Sequence, residues 1–364
     1  MSLWGVSTKG RPEMLNKDQN QNQDVGTGAT AIQAGGNVTI HGVSATEARA
    51  IALDVAKATF YELTGVARET MSTRVEEITE KVISKLEKDF PEGLGKAIDP
   101  DFQYALLTVQ KQFGRTGDED LGDLLIDLLV DRSKQDDRNI LQIVLNESLE
   151  VAPKLTGAHL SILAVVFLLA YTKNSTVVNH HALGIYFDRH IQPFVAQLVV
   201  NSASYQHLEF TGCGSVQTGQ RLLEDILLIV YPALFTNGFE SSEFESRGIS
   251  VECQSRFFIP CLNDPSKVQV CAIDKEVLVQ IFDKYQTSQD DREKISSLFD
   301  VGKMSHEEVR KNCVKVRPYM DTVFKCWDDS EMKSLFLTSV GMAIGHANIK
   351  RFVGEFSKLS IWIN

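Results

Sequence analysis

Asp118–Asp131, DEDLGDLLIDLLVD, decides the class of the fold. Leu121, Leu124, Leu125, Leu128 and Leu129 recur at three- and four-residue intervals, so they share one face of a helix. Asp120, Asp123, Asp127 and Asp131 recur the same way on the other face, and Asp118 stands where a helix N-cap belongs. Alternation of period two, the mark of a strand, is absent from the stretch. Outward from it the same period continues. Phe102, Leu106, Leu107, Val109 and Phe113 predict a helix closed by Gly114, and residues 138–149 predict another, stopped by Pro153. Thr156 caps the most apolar segment, Leu160–Tyr171, LSILAVVFLLAY. That run is shorter than the roughly 20 residues a membrane span needs, which favours a buried central helix. Residues 177–200 continue as helix with a break at Pro193, the glycine-rich surroundings of Cys213 read as loop, and residues 222–235 form a further apolar helix.

After residues 236–248, rich in Ser, Glu and Phe, the pattern changes. Residues 257–262 and 268–273 flank Asn263–Lys267, the signature of a β-hairpin. Helices resume at 276–285, at 290–299, after the capping box Ser305–Glu308, and over 331–352, where Gly341, Gly345 and Ala347 permit close approach of another backbone. The alternation in residues 359–364 suggests a terminal strand able to pair with the hairpin. The expected fold is mainly α: a multi-helix body with a short glycine-rich N-terminal β element, a small C-terminal hairpin and that last strand.

The N-terminal part differs in kind. Residues 1–24 are polar and read as a flexible leader. In residues 25–42 the apolar Val25, Ile32, Val38 and Ile40 are separated by glycines. Strands this short cannot make an independent sheet, so the segment is expected to assemble with copies of itself. A disordered polar leader is the alternative reading. A phosphate-binding loop is a poorer reading, because no Lys-Ser/Thr follows the glycines. Ser44–Glu47 is a capping box that opens an amphipathic helical stretch over 43–90. There Ile51, Val55, Ala58 and further apolar residues form a narrow stripe suited to helix pairing, with a bend at Gly65 and a stop at Phe90–Gly93. The organisation expected is thus a leader (1–24), an assembly element (25–42), an oligomerisation helix (43–90), a helical domain (97–236) and a C-terminal α+β domain (249–364).

Composition narrows the function classes. The apolar fraction of 43% and charged fraction of 23% are those of an ordinary water-soluble chain. Forty-eight acidic against 37 basic residues, a net charge of −11, argue against a general nucleic-acid-binding surface. Cys213, Cys253, Cys261, Cys271, Cys313 and Cys326 show no zinc-site spacing, which fits reduced thiols in a cytoplasm. No apolar signal core begins the chain, and export is not expected. No cofactor and no metal site is implied.

Candidates for chemistry are few. The acidic stripe, with Asp120 and Asp123 at its centre, has the residue types of a metal-dependent nuclease or hydrolase. Such sites gather ligands from several elements, however, and a solvated helix face is the expected reading. His181 with Asp188, and nearby His180 and His190, lacks the spacing of a zinc hydrolase. Cys213 between two glycines is the best placed nucleophile, but it has no base identifiable from sequence. His346, among small residues, reads as a packed polar side chain.

Four stretches taken together resemble a widespread bacterial family known only by locus tags: Arg115–Arg132, Gln142–Leu149 with Ala152–Thr156, Gly345–Arg351, and Ser360–Asn364. The leader, Ala31–Ile40, resembles those in front of several bacterial conflict-system proteins. The resemblance covers nearly the whole chain from about Asn20. It carries no catalytic residues, and it implies a role in defence against phage or other mobile DNA. The expected function is therefore a cytoplasmic, homo-oligomeric structural or sensor protein of an anti-phage system. Its partners would be copies of itself and a phage-derived or effector protein. The alternatives are the metal-dependent enzyme and a membrane-disrupting effector that releases Leu160–Tyr171.

Overall fold

The computed structural model describes residues 43–57 and 63–363. The candidate assembly residues Val25, Ile32, Val38 and Ile40 lie outside them. The described residues are mainly helical with two small two-stranded sheets, and they form two compact units.

One unit takes the described parts of Leu15–Thr156 and Leu337–Asn364 together with Thr211–Cys213. Its helices are α1 (Ala45–Lys57), α2 (Gly65–Asp89), α3 (Pro100–Thr116), α4 (Glu119–Ser133), α5 (Ile140–Val151) and the Ser339–Val353 helix. Ser44 opens α1 as a capping box: its N–H and hydroxyl donate to the Glu47 carboxylate at 2.9 and 2.8 Å, and its Oγ accepts from the Glu47 N–H. Gly65, at φ +58°, begins α2 in the left-handed region that glycine tolerates. Phe90 and Pro91 end α2 and turn the chain into a 3₁₀ helix, Pro91–Ile98. Asp99, Asp118 and Asn139 cap α3, α4 and α5 through their side chains. The expected end of α3 at Gly114 moves to Gly117 (φ +63°). Gly114 instead lies under Met71 and Val75 of α2, where a side chain would crowd them.

The buried face of α1 also differs from the sequence reading. Ala48, Ala52 and Ala56 are the residues buried there, and Ile51 and Val55 flank them half-exposed. α1 packs on α2 and α3. Gln110 of α3, fully buried, donates to the Ala52 carbonyl at 3.2 Å and to Thr79 at 2.9 Å. The stripe Ile51–Val55 therefore stays partly open at the surface.

The second unit takes Gly157–Phe210 and Gly214–Phe336. At its centre is α6 (Gly157–Tyr171), buried without interruption from His159 to Ala170. A helix apolar all round belongs inside a core, and among the described residues no helix is long and apolar enough to cross a membrane. The break at Pro193 takes the form of a π turn, Phe187–Ile191, closed by the Gln192 N–H on the Phe187 carbonyl. Widening the turn there accommodates a proline, which has no N–H to continue the ladder. The Cys213 region holds a short strand, β1 (Gly214–Val216), in place of the expected loop alone. The hairpin forms as read, with β2 (Phe258–Pro260) antiparallel to β3 (Val268–Val270) in the register Phe258↔Val270. Phe239, Phe244, Phe257, Phe282 and Leu298 pack a second apolar cluster around it.

Two expectations at the C-terminus are corrected. The helix expected over 331–352 is three elements: a 3₁₀ turn (Glu331–Ser334), β4 (Leu335–Leu337) paired with β1, and the Ser339–Val353 helix. Thr338 supplies the cap that separates strand from helix. The residues read as a terminal strand form a 3₁₀ turn, Leu359–Ile361, and Ile363 is buried.

Candidate functional site

The acidic face of α4 is neither a metal site nor a freely solvated stripe. Asp120 is held by Arg351. Asp131 lies 3.1 and 3.3 Å from Lys350 Nζ and 2.8 Å from Lys134 Nζ. Asp127 is buried at 6% exposure. Lys85 Nζ approaches its Oδ1 at 3.3 Å, close enough for an ion pair but off hydrogen-bond geometry, so that oxygen has no hydrogen bond. Asp120 and Asp123 are both exposed to solvent, Asp120 beside Arg351. The leucine face turns inward as read. The opposite face is neutralised by cations from α2, from the end of α4 and from the Ser339–Val353 helix. Burial pushes the Asp131 carboxyl up, but Lys350 and Lys134 outweigh it and hold the group below the usual carboxylate range.

His346 lies one turn before Lys350 and closes this array. Its Nε2 meets the Ser357 carbonyl at 2.6 Å. Its ring packs edge-on to Phe356 (5.2 Å) and tilted against Trp362 (6.0 Å). Burial lowers the tendency of this imidazole to protonate, opposed by the Ser357 carbonyl and Asp131. Three stretches quoted from the sequence thus meet in one place: the acidic helix, Gly345–Arg351 and the closing Ser360–Ile363. Lys350 and Arg351 were not legible as its partners, since nothing local to α4 points to cations 219 and 231 residues away.

Gly341 anchors the start of the same helix. A Cβ there would fall 1.8 Å from the Cys213 carbonyl oxygen, and Thr338 donates to the Gly212 carbonyl at 2.6 Å. Small residues are what the close approach requires.

The other candidates do not come together as chemistry. His181 is exposed at the start of its helix. Asp188 is held by Arg317 in a two-pronged ion pair and by Tyr319 at 2.9 Å. His190 is buried against Tyr186, its Nδ1 3.2 Å from the Tyr186 carbonyl. Cys213 is fully buried, and burial pushes its thiol up, opposite to what a nucleophile needs. All six cysteines are free thiols. Among the described residues no three His, Cys, Asp or Glu side chains group as metal ligands.

The remaining surface feature lies at the rim where the chain enters α1. Val43, Glu47, Ala50, Ile51, Gly95 and Ile98 line a groove of ≈ 590 Å³ between α1 and the Pro91–Ile98 turn. Ile98 is 66% exposed, a large apolar side chain left open to water. Ile51 belongs to the apolar stripe expected at an assembly surface, whereas Gly95 and Ile98 lie in no periodic stripe and carry no such signal in the sequence.

Comparison with curated proteins and with solved structures finds no match. A protein-family model described only as "-like", with no activity in its description, matches residues 42–363. The match runs from the residue before the groove to the residue after Trp362 and takes in both compact units, so the chain belongs to that family.

Proposed function

We propose that the chain is a homo-oligomeric structural or sensor protein of a bacterial anti-phage defence system, acting in the cytoplasm without catalysis of its own. The observation that carries the assembly reading is the open apolar groove on α1, at the point where the glycine-rich leader joins the helical body. An apolar groove beside a glycine-rich segment expected to form only short strands is an arrangement in which copies of the chain complete one another. The defence role rests on the resemblance of the leader to those of conflict-system proteins. A phage-derived or effector protein is the partner that role calls for.

The enzyme alternative is weakened by the pairing of its carboxylates. Lys350 and Lys134 already neutralise Asp131, and Arg351 neutralises Asp120, where a divalent ion needs free carboxylate oxygens. The membrane alternative requires α6 to leave a core in which every residue from His159 to Ala170 is buried.

Mass in solution and phage restriction, measured on the same variants, test the proposal. The full chain is expected to restrict phage and to assemble. Ile51→Glu, which places a carboxylate in the groove wall, loses both while its far-UV circular dichroism is kept. Restriction that survives complete loss of assembly contradicts the reading.

A further inference from the structure

Asn263, in the turn between β2 and β3, ties three other segments together. Its Nδ2 donates to the Leu234 carbonyl at 2.9 Å and to the Thr236 carbonyl at 2.7 Å. Both amide hydrogens are thereby used, and its Oδ1 accepts from Asn312 Nδ2 at 2.7 Å. The same oxygen lies 2.8 Å from Nε2 of His180, the first residue of the His180–Tyr186 helix. An acceptor at that place requires a hydrogen on Nε2, so the neutral ring carries its lone pair on Nδ1. That Nδ1 is buried, and no group among the described residues hydrogen-bonds it.

The charges around the ring give a second proton no support. Lys315 of the His306–Val316 helix, which packs against the His180 helix, acts on the ring as a like charge. On the same helix Glu307 is paired with Lys311, and Glu308 holds Ser305 and Asn237. Arg310 and His306 turn to Asp328 and Asp225. In the hairpin, Asp264 accepts from Ser266 and Glu240 faces Lys267. Beyond the His180 helix Asp188 is held by Arg317, while His181, Arg189 and His190 bring no negative charge. Burial makes this imidazole harder to protonate, opposed by the Asn263 hydrogen bond and reinforced by Lys315.

We infer that the His180–Asn263 contact is a pH-sensitive latch, in which a proton taken up at Nδ1 releases the hairpin turn from the His180–Tyr186 helix. An N–H at Nδ1 has no acceptor in the closed arrangement, whereas water supplies one once the ring leaves it. The folded ring binds a proton less readily than a free histidine, whose value is 6.5. The latch is therefore closed above that pH and opens as the pH falls below it.

Amide hydrogen exchange of the full chain at pH 7 and pH 5, corrected for intrinsic rates and read on peptides, tests the latch. The turn offers the hydrogen-bonded N–H groups of Cys261 and Lys267. His180→Gln keeps a donor for Asn263 and has no proton to gain. From pH 7 to pH 5, protection of the turn is expected to fall about tenfold more in the unaltered chain than in His180→Gln, inside the roughly 30-fold that a drop from 6.5 to 5 permits. An equal fall in the two proteins overturns the inference. His180→Ala removes ring and donor together, and its turn is expected to exchange faster already at pH 7. A turn that His180→Ala leaves unchanged is not held by the ring, which overturns the inference too. Histidine ¹H–¹⁵N spectra at pH 7, with the His180 signal identified by its absence from His180→Gln, are expected to show the Nε2–H tautomer. The Nδ1–H tautomer contradicts the latch.

Discussion

At the scale of single residues, the stability of the unit that carries the groove turns on charges withdrawn from water. Asp131 and Lys350 are largely buried together, with side-chain exposures of 17% and 20%. Lys350→Ala leaves the carboxylate with Lys134 alone, and the expected cost is about 1–3 kcal/mol in urea denaturation. Adding Asp131→Asn recovers part of that loss, because the orphaned charge disappears, and the double-mutant cycle shows coupling between the two sites. His190 gives the pH dependence. Burial pushes its pKa down to about 4, below the ordinary histidine value of 6.5, so the unfolded chain binds the proton more readily than the folded one. Its contribution is complete above pH 6.5 and is lost as the pH falls towards 4. His346, His159 and His180 are shifted in the same direction, each chiefly by burial. Denaturation at pH 7 and pH 5 is expected to show lower stability at pH 5, with about 2 kcal/mol of the loss from His190. Equal stability at the two values contradicts the burial of these rings.

At the scale of elements, the caps and stops were legible because they are local. Asp118 and Ser305 each hold the N–H groups that their sequence neighbourhoods announced. The hairpin was legible for the same reason: turn residues and flanking β-branched residues lie within a short span. What escaped were elements defined by distant partners. Leu335–Leu337 looks like the continuation of a helix, and it is a strand because it pairs with β1, more than a hundred residues earlier. The alanine seam of α1 escaped because small side chains carry little periodic signal, although they set how closely α1 sits on α2 and α3. Gly341 is the sharpest case of a contact that fixes an element. In Gly341→Ala the new Cβ meets the Cys213 carbonyl, a backbone atom that no rotamer change can move aside. The expected loss is ~3 kcal/mol or more. Gly219→Ala, with open space around it, stays within about 0.5 kcal/mol. Thermal unfolding of the two variants side by side checks the contrast.

At the scale of the whole molecule, the mainly helical class was readable from the period of the apolar residues, and the buried nature of α6 from its length. The site was less so. Asp120, Asp123, His181 and Cys213 were chosen for their chemical types. The structure disperses them into an ion-paired helix face, an exposed helix start and a buried thiol. Of the assembly residues inside the described part, Ile51 lines the groove and Val55 flanks the alanine seam. Assembly is the proposed role, and the mass of the chain in solution tests it most directly. Size-exclusion chromatography with light scattering is expected to give the full chain the mass of two or more chains, and Ile51→Glu a lower mass with the fold retained. A full chain that runs as a monomer across the micromolar range contradicts it.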